Sequence, residues 1–329
     1  MNTLAPILQA FFTDRLLHQR NASPHTIAAY RDTMRLLLTF ALKRTGKQPC
    51  NLDLSDLDAP LIGAFLEHLE RERSNTVRTR NARLAAIHSL FRFAALDYPE
   101  DAELIQRVLA IPPKCSDRAL VTHLTEPEVD ALLTAPDRAI WTGRRDHALL
   151  LLAVQTGLRA SELTGLRCDD VHLGTGAHIS CHGKGRKDRI TPLTPATVAV
   201  LRVWLTERAG QPADPLFPTQ KGHRLSRDGL EHRLAKHYAT AARACPSLEK
   251  KKTTLHTLRH TAAMRLLHAD VDTSVIALWL GHESVETTQI YLHADLALKE
   301  RALARTTPPD SKPGRYRPPD TTLAFLEAL

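Results

Sequence analysis

The chain has 329 residues, 43% of them hydrophobic, which is enough for two domains of ordinary size with a core in each. Lys and Arg number 44 against 36 Asp and Glu, a formal charge of +8, and this balance favours polyanionic partners such as nucleic acid. The five cysteines are odd in number and form no Cys-x-x-Cys pair, which argues against a zinc cluster or a disulfide framework. The longest apolar run, Ala148 to Val154, is too short for a membrane span, and residues 1–10 lack a secretory pattern. We therefore expect a soluble, cytoplasmic protein.

The first third of the chain carries helical patterns and no strand signal. Ser23 provides an N-cap with Pro24 at the first helical position, and apolar residues follow at helical spacing. Three helices are predicted, at Ser23–Leu42, Asp58–Arg73 and Thr76–Ala95. Pro112 and Pro113 then break the pattern. The sequence thus predicts an all-helical domain at residues 1–110 and a linker at 111–122.

The sequence of the second part of the chain predicts helices and one short hairpin. Thr125 opens a helix that has acidic residues in its first turn. The segments His178–Cys181 and Arg189–Leu193 flank a Gly- and Lys-rich tip, which is typical of a β-hairpin. A helix at Asp146–Gln155 is predicted to be apolar on all sides and buried. Further helices are predicted at Pro195–Arg208, Arg227–Cys245, His256–Ala269 and Ser274–Leu280, the last ended by Gly281 as a C-cap. We expect a mainly α (α+β) protein whose second domain, residues 123–305, is mostly helical with a small antiparallel β-sheet.

The last segment, residues 306–329, begins with a Pro-rich spacer and ends in the apolar decamer Asp320–Leu329. An apolar segment on an extended spacer suggests docking. We expect a tail helix that packs on a neighbouring protomer.

Four segments of the second domain carry cationic or imidazole groups in a fixed order. They are Thr156-Gly157-Leu158-Arg159, Gly183-Lys184-Gly185, His256-Thr257-Leu258-Arg259-His260, and Leu280-Gly281-His282 followed by Thr288-Gln289-Ile290-Tyr291. In these motifs the sequence resembles the tyrosine recombinase (phage integrase) family, and within it the Xer-type recombinases and integrases. The resemblance covers most of the chain and implies an N-terminal SAM-like core-binding domain followed by a catalytic domain. Leu255 stands where the family usually has Pro, a departure that touches no catalytic group.

The chemistry of a phosphodiester explains these residue types. Arg159 and Arg259 can each present a planar fork to the negative phosphoryl oxygens, and these bonds strengthen as the transition state gains charge. The resemblance implies that Tyr291 is the nucleophile and that His256 and His282 complete the phosphate cradle. It also implies that His256 accepts the phenol proton.

The same reasoning gives roles to the neighbours of these residues. Lys184, at the hairpin tip, is suited to protonate the leaving 5′ oxygen, and Lys187 is a less well-spaced rival. Glu162, three residues after Arg159, is expected to hold its guanidinium. His260 is expected to be structural or a further phosphate contact. The expected DNA-contact residues are Arg78, Arg80, Arg83, Arg186 and Lys187.

The resemblance implies a site-specific recombinase or integrase that needs no metal or cofactor, mobilises or integrates a DNA element, and acts in the bacterial cytoplasm or nucleoid. Its expected partners are double-stranded DNA and further copies of the same chain. Free monomers or dimers are expected to assemble into a homotetramer on that DNA, and the tetramer is expected to recombine DNA through a Holliday junction. A partner recombinase or directionality factor is left open. The alternatives are a catalytically silent DNA-binding protein and a type IB topoisomerase. Taken singly, Tyr291 could be a packing residue, and Arg159 and Arg259 could be structural ion-pair partners.

Overall fold

The computed structural model describes residues 3–115, 121–182 and 188–281 together with Thr288 and Tyr291; at His182 it describes the backbone only. The chain divides into two compact units, Met1–Arg118 and Ala119–Leu329. Within the described residues, no helix combines the length and apolar character that crossing a membrane requires. The predicted tail at 306–329 lies outside the described residues, and its docking stays a prediction.

The first unit is helical throughout its described length. Its α-helices are α1 Leu4–Ala10, α2 Pro24–Thr45, α3 Ala59–Arg71, α4 Val77–Asp97 and α5 Ala102–Leu109. The three predicted helices are confirmed within a few residues at their ends, because local caps define their starts: Ser23, Asp58 and Thr76 each accept a hydrogen bond from a backbone N–H of the first turn. The sequence-based prediction did not include α1 or the π-helix that continues it over Phe11–Gln19.

The core of this unit lies between α2, α3 and α4. Leu37, Phe65 and Phe91 are almost fully buried there, one from each helix. Helix α4 also buries a charged residue, Arg80, which is only 6% exposed. Arg80 was expected to contact DNA, but its side chain is buried within its own unit.

Arg80 and its neighbour instead bind the segment that follows α5. Arg80 Nη1 donates to the Pro112 carbonyl at 3.1 Å. The Asn81 amide donates to the Lys114 carbonyl at 2.8 Å and its oxygen accepts from the Lys114 N–H at 3.1 Å. Residues 111–115 are non-helical, as the two prolines predict, but this first part of the expected linker is bound to its own unit.

The second unit combines seven α-helices, in its described residues, with a small sheet. The helices are α6 Glu126–Thr134, α7 Trp141–Thr156, α8 Ala160–Gly165, α9 Pro195–Arg208, α10 Arg227–Ala244, α11 Leu255–His268 and α12 Thr273–Leu280. The sheet contains β1 Val171–His172, β2 His178–His182 and β3 Asp188–Pro192, in the order β1-β2-β3. All neighbouring strands are antiparallel, with Ser180 opposite Ile190 in the predicted hairpin. Strand β1 was not predicted because two residues carry no alternation pattern.

Helix α7 lies in the centre of the second unit. It was predicted to be apolar on all sides, and it does bury Leu149, Leu152 and Ala153. It also buries Arg145 and Asp146, which pair with one another at 2.6 Å. The prediction was therefore wrong at its N-terminal turn, where paired charges can be buried because each satisfies the other.

Candidate active site

The turn from α7 to α8 positions the first predicted catalytic arginine. Gly157 ends α7 in the left-handed conformation, with φ of +64°, and Arg159 is the N-cap of α8. A Cβ at position 157 would lie 2.7 Å from Leu280 Cδ2 and would displace it, so glycine permits this close approach of α7 to α12. The chain direction after α7, and with it the position of Arg159, depends on this turn.

Glu162 holds Arg159 through both its side chain and its backbone. Arg159 Nη1 donates to Glu162 Oε1 at 2.8 Å, and the Arg159 N–H donates to Glu162 Oε2 at 2.8 Å. The arginine side chain remains 31% exposed while the carboxylate is 3% exposed. Glu162 therefore restrains one side of the guanidinium and leaves part of it accessible to a ligand.

Arg259, on α11, is the second predicted catalytic arginine and is buried. Its Nη1 donates to the Gly157 carbonyl at 2.7 Å and its Nη2 to the Leu280 carbonyl at 2.6 Å. Burial, together with the positive charge of Arg159, lowers the pKa of Arg259 to about 10, so it is still a cation at neutral pH. Backbone carbonyls thus hold this guanidinium without neutralising it.

The two arginines converge on the C-terminal end of α12. Arg159 Nη2 donates to the Gly281 carbonyl at 2.8 Å, one residue beyond the Leu280 carbonyl that binds Arg259. Gly281 ends α12 with φ of +64°, which confirms the predicted C-cap. Two fixed positive charges therefore lie together at the C-terminal end of α12, an arrangement suited to an anionic group.

Tyr291 lies within electrostatic reach of Arg259 but is buried. It is 1% exposed and packs in a small apolar cluster with Ala263, Met264 and Leu280. Burial raises the pKa of Tyr291 to about 12, although the positive charge of Arg259 acts in the opposite direction. In this arrangement the phenol is protonated at neutral pH and shielded from solvent.

His260, rather than His256, contacts the Tyr291 hydroxyl. His260 Nδ1 lies 3.1 Å from Tyr291 Oη, and the two rings meet edge to face with centroids 5.5 Å apart. His256 lies at the surface one helical turn earlier, its ring centroid 4.1 Å from that of His260. Partial loss of hydration of the ring and the charges of Arg259 and Arg159 lower the pKa of His256, which favours the neutral imidazole. The expected contact between His256 and the phenol is absent among the described side chains.

The other predicted site residues lie outside the described residues or in the first unit. Lys184, Arg186, Lys187 and His282 lie outside the described residues. Of the expected DNA contacts in the first unit, Arg78 is exposed, Arg83 is half-buried and Arg80 is buried.

Among the described residues, no group of three or more His, Cys, Asp or Glu side chains could hold a metal ion.

One residue of the site carried no role in the sequence-based prediction. Arg189, on β3, donates from Nη1 to Glu162 Oε1 at 2.9 Å and from Nη2 to Oε2 at 2.7 Å. The only signal available was its place shortly after the Lys184 motif, and a strand arginine there has no distinctive pattern. Its pairing with Glu162, 27 residues away, depends on the tertiary structure.

Comparison with known proteins places this chain in one class, the tyrosine recombinases. The family model "Phage integrase family" matches residues 122–297, and "Phage integrase, N-terminal SAM-like domain" matches residues 10–97. The chain belongs to the phage integrase family, and it is an enzyme of DNA strand cleavage and religation. The predicted mainly helical fold, with its SAM-like first domain, is thereby confirmed.

Among its relatives, y4rC of Sinorhizobium fredii, which has a provisional integrase/recombinase name, is 59% identical over 99% of this chain and 98% of that protein. Tyrosine recombinase XerD of Yersinia pestis is 33% identical over 88% of this chain and 92% of XerD. A crystal structure of the XerH site-specific recombinase, in a post-cleavage complex with palindromic difH substrate, matches with a TM-score of 0.70 at 25% identity, covering 87% of this chain and 81% of XerH. The predicted Xer-type relationship is confirmed.

Proposed function

We propose that this chain is a site-specific recombinase that binds double-stranded DNA and attacks a phosphodiester with Tyr291. The observation that carries the proposal is the convergence of the guanidinium groups of Arg159 and Arg259 on adjacent carbonyls, with Arg259 within electrostatic reach of the phenol. The XerH structure is a post-cleavage complex with palindromic difH substrate, and it supports a DNA substrate for this chain. The six residues proposed to act are Arg159, Lys184, His256, Arg259, His282 and Tyr291.

In the proposed reaction, Arg159 and Arg259 bind the two non-bridging oxygens of the scissile phosphate. The phenolate oxygen of Tyr291 forms a bond to phosphorus while the bond from phosphorus to the 5′ oxygen breaks. The products are a 3′-phosphotyrosyl bond and a 5′-hydroxyl, whose new proton we assign to Lys184. Because the phosphoester is conserved, a second 5′-hydroxyl can reverse the reaction on another strand, and fixed cations stabilise the extra negative charge in both directions.

The Tyr291 hydroxyl must lose its proton and leave its buried position before it can attack the phosphate. A pKa of about 12 leaves about one molecule in 10⁵ ionised at pH 7, so bound phosphate and a neighbouring base have to assist. Two histidines are available for this step: His260 contacts the hydroxyl, and His256 favours the neutral imidazole, which is able to accept a proton. DNA binding therefore has to bring the Tyr291 hydroxyl out of its apolar cluster toward the two arginines.

The biological role we propose is movement or integration of a DNA element, by a tetramer assembled on DNA. The similarity to y4rC, with its integrase/recombinase name, supports this role.

The proposal is tested by capture of covalent adducts. Wild-type protein, Tyr291→Phe and the matched control Tyr98→Phe, which removes a hydroxyl in the other unit, are incubated with a library of nicked genomic duplexes. Adducts that resist denaturation are isolated, digested with protease and sequenced. We expect wild type and Tyr98→Phe to trap DNA through its 3′ end at a defined sequence, with a 5′-hydroxyl that a kinase labels directly.

Each contrary outcome has a distinct meaning. An adduct that survives Tyr291→Phe rejects Tyr291 as the nucleophile. Absence of any adduct with wild type supports a silent DNA-binding protein. Adducts at many unrelated sequences, together with relaxation of supercoiled plasmid, support a topoisomerase instead.

A further inference from the structure

Arg189 is a buried arginine that the proposed reaction does not use. It lies on β3, and its side chain is 10% exposed. Both of its terminal nitrogens donate to Glu162, at 2.9 and 2.7 Å, so the pair is bidentate. A bidentate arginine–carboxylate pair fixes direction as well as distance, because two parallel bonds prevent rotation.

The same carboxylate binds Arg159. Glu162 receives four N–H donors: two from the Arg189 side chain, one from the Arg159 side chain and one from the Arg159 backbone. Burial raises the pKa of Glu162, but the hydrogen bonds from Arg189 and Arg159 outweigh it and bring the pKa to about 2. One anion is therefore shared between two cations, and the group keeps a net charge of +1.

Arg189 also packs against the second point that holds Arg159. The Gly281 carbonyl accepts from Arg159 Nη2, and a Cβ at Gly281 would lie 2.8 Å from Arg189 Nη1. The guanidinium of Arg189 thus occupies the space beside Gly281 that a side chain would fill. Arg189 contacts both Glu162 and Gly281, the two residues that fix the Arg159 guanidinium.

We propose that Arg189 is a positioning residue that keeps Arg159 directed and charged for the phosphate, acting through Glu162. The charge balance explains why a second arginine is needed. With Glu162 and Arg159 alone, the pair is neutral and the carboxylate competes with the phosphate for the guanidinium. With Arg189 present, the carboxylate is satisfied from its other side, and one positive charge remains for the phosphoryl oxygens. The inference rests on the proposed function.

The test compares two substrates that differ in the charge of the scissile group. One is a nicked duplex of the recovered site with its natural phosphodiester, and the other carries a methylphosphonate there, which removes one negative oxygen. We expect Arg189→Gln to slow adduct formation on the phosphodiester by about 10- to 100-fold and to slow it much less on the methylphosphonate. Arg159→Ala should show the same pattern. Arg189→Lys keeps the charge but loses the bidentate pair, so its rate of adduct formation on the phosphodiester should lie between those of Arg189→Gln and wild type.

A matched control separates this role from simple loss of an ion pair. Arg144 makes an equally short bidentate pair with Glu207 in the same unit, away from the site, so Arg144→Gln should keep the wild-type rate on both substrates. Coupling is tested by the double variant Glu162→Gln/Arg189→Gln, which should be no slower than Glu162→Gln alone. Equal slowing of Arg189→Gln on both substrates, or an unchanged rate, overturns the inference.

A second measurement keeps the inference separate from the proposed function. If wild type forms no adduct on either substrate, the proposed function fails, and nitrogen-15 NMR then tests the positioning role. Faster rotation of the Arg159 guanidinium in Arg189→Gln than in wild type and Arg144→Gln supports the restraint. Unchanged rotation overturns it.

Discussion

The turn at Gly157 offers a quantitative test of how the site is built. We consider Gly157→Ala, which adds one methyl group at a left-handed residue with φ of +64°. The left-handed conformation costs an alanine about 1–2 kcal/mol. The added Cβ would also lie 2.7 Å from Leu280 Cδ2 and 3.1 Å from Ala262 Cβ, and such overpacking costs a further ~1–3 kcal/mol. The expected loss in the free energy of unfolding is therefore about 2–5 kcal/mol.

The chain contains a matched control for the backbone part of this cost. Gly176 has φ of +70°, but its added Cβ would have no heavy atom within 4 Å, so Gly176→Ala carries only the conformational strain of about 1–2 kcal/mol. For a domain of this size each kcal/mol lowers Tm by about 2–4 °C. We expect Gly157→Ala to lower Tm by about 4–20 °C and Gly176→Ala by about 2–8 °C, measured by circular dichroism at one protein concentration.

The Gly157 variant should also lose activity beyond its loss of stability. The Gly157 carbonyl accepts from Arg259, so displacement of the turn moves an arginine of the site. At a temperature where both variants are folded, adduct formation should fall for Gly157→Ala and stay at the wild-type rate for Gly176→Ala. Equal Tm losses for the two variants would refute the overpacking argument, and an unchanged rate for Gly157→Ala would refute the proposed link to Arg259.

Two further predictions concern titratable groups. The pKa of Glu162 is lowered from 4.5 to about 2 in the folded state, so its ionisation stabilises the fold by about 3 kcal/mol above pH 4.5. This stabilisation is lost as the pH falls from about 4.5 to 2, and urea unfolding of wild type at pH 7, 4.5 and 3 should show the loss. A Glu162→Gln variant whose free energy of unfolding has the same pH dependence would contradict this prediction. Burial raises the pKa of the Cys181 thiol to about 12, so iodoacetamide should label the exposed Cys50 in the native protein but label Cys181 only after denaturation. Equal labelling rates for the two thiols in the native protein would place Cys181 outside the core.

Features that depend on near neighbours in the sequence were predictable. Ser23 with Pro24, and Thr125 with Glu128, specify helix starts because a cap and its partner lie within one turn, and the structure contains both. Gly281 specifies a helix end for the same reason. The residue types that phosphoryl chemistry requires were also predictable, since they stand in recognisable motifs.

Features that depend on packing between distant segments were not predictable. Arg80 and Arg78 lie on the same helix and look alike in sequence, but only Arg80 is buried, because the segment at Pro112 packs over it. His256 and His260 are both histidines of one motif, and the position of Tyr291 beside α11 decides which of them contacts the phenol.

The sequence by itself determined the family, the mainly helical class, and the set of groups available to bind and attack a phosphate. Only the tertiary structure decided how those groups are held: Arg189 reaches Glu162 from strand β3, and Arg159 and Arg259 share the end of α12. The physical reason is that hydrogen bonds to backbone carbonyls and shared carboxylates leave no spacing rule in the sequence. They arise where remote segments meet, and their directions follow from the packing that brings those segments together.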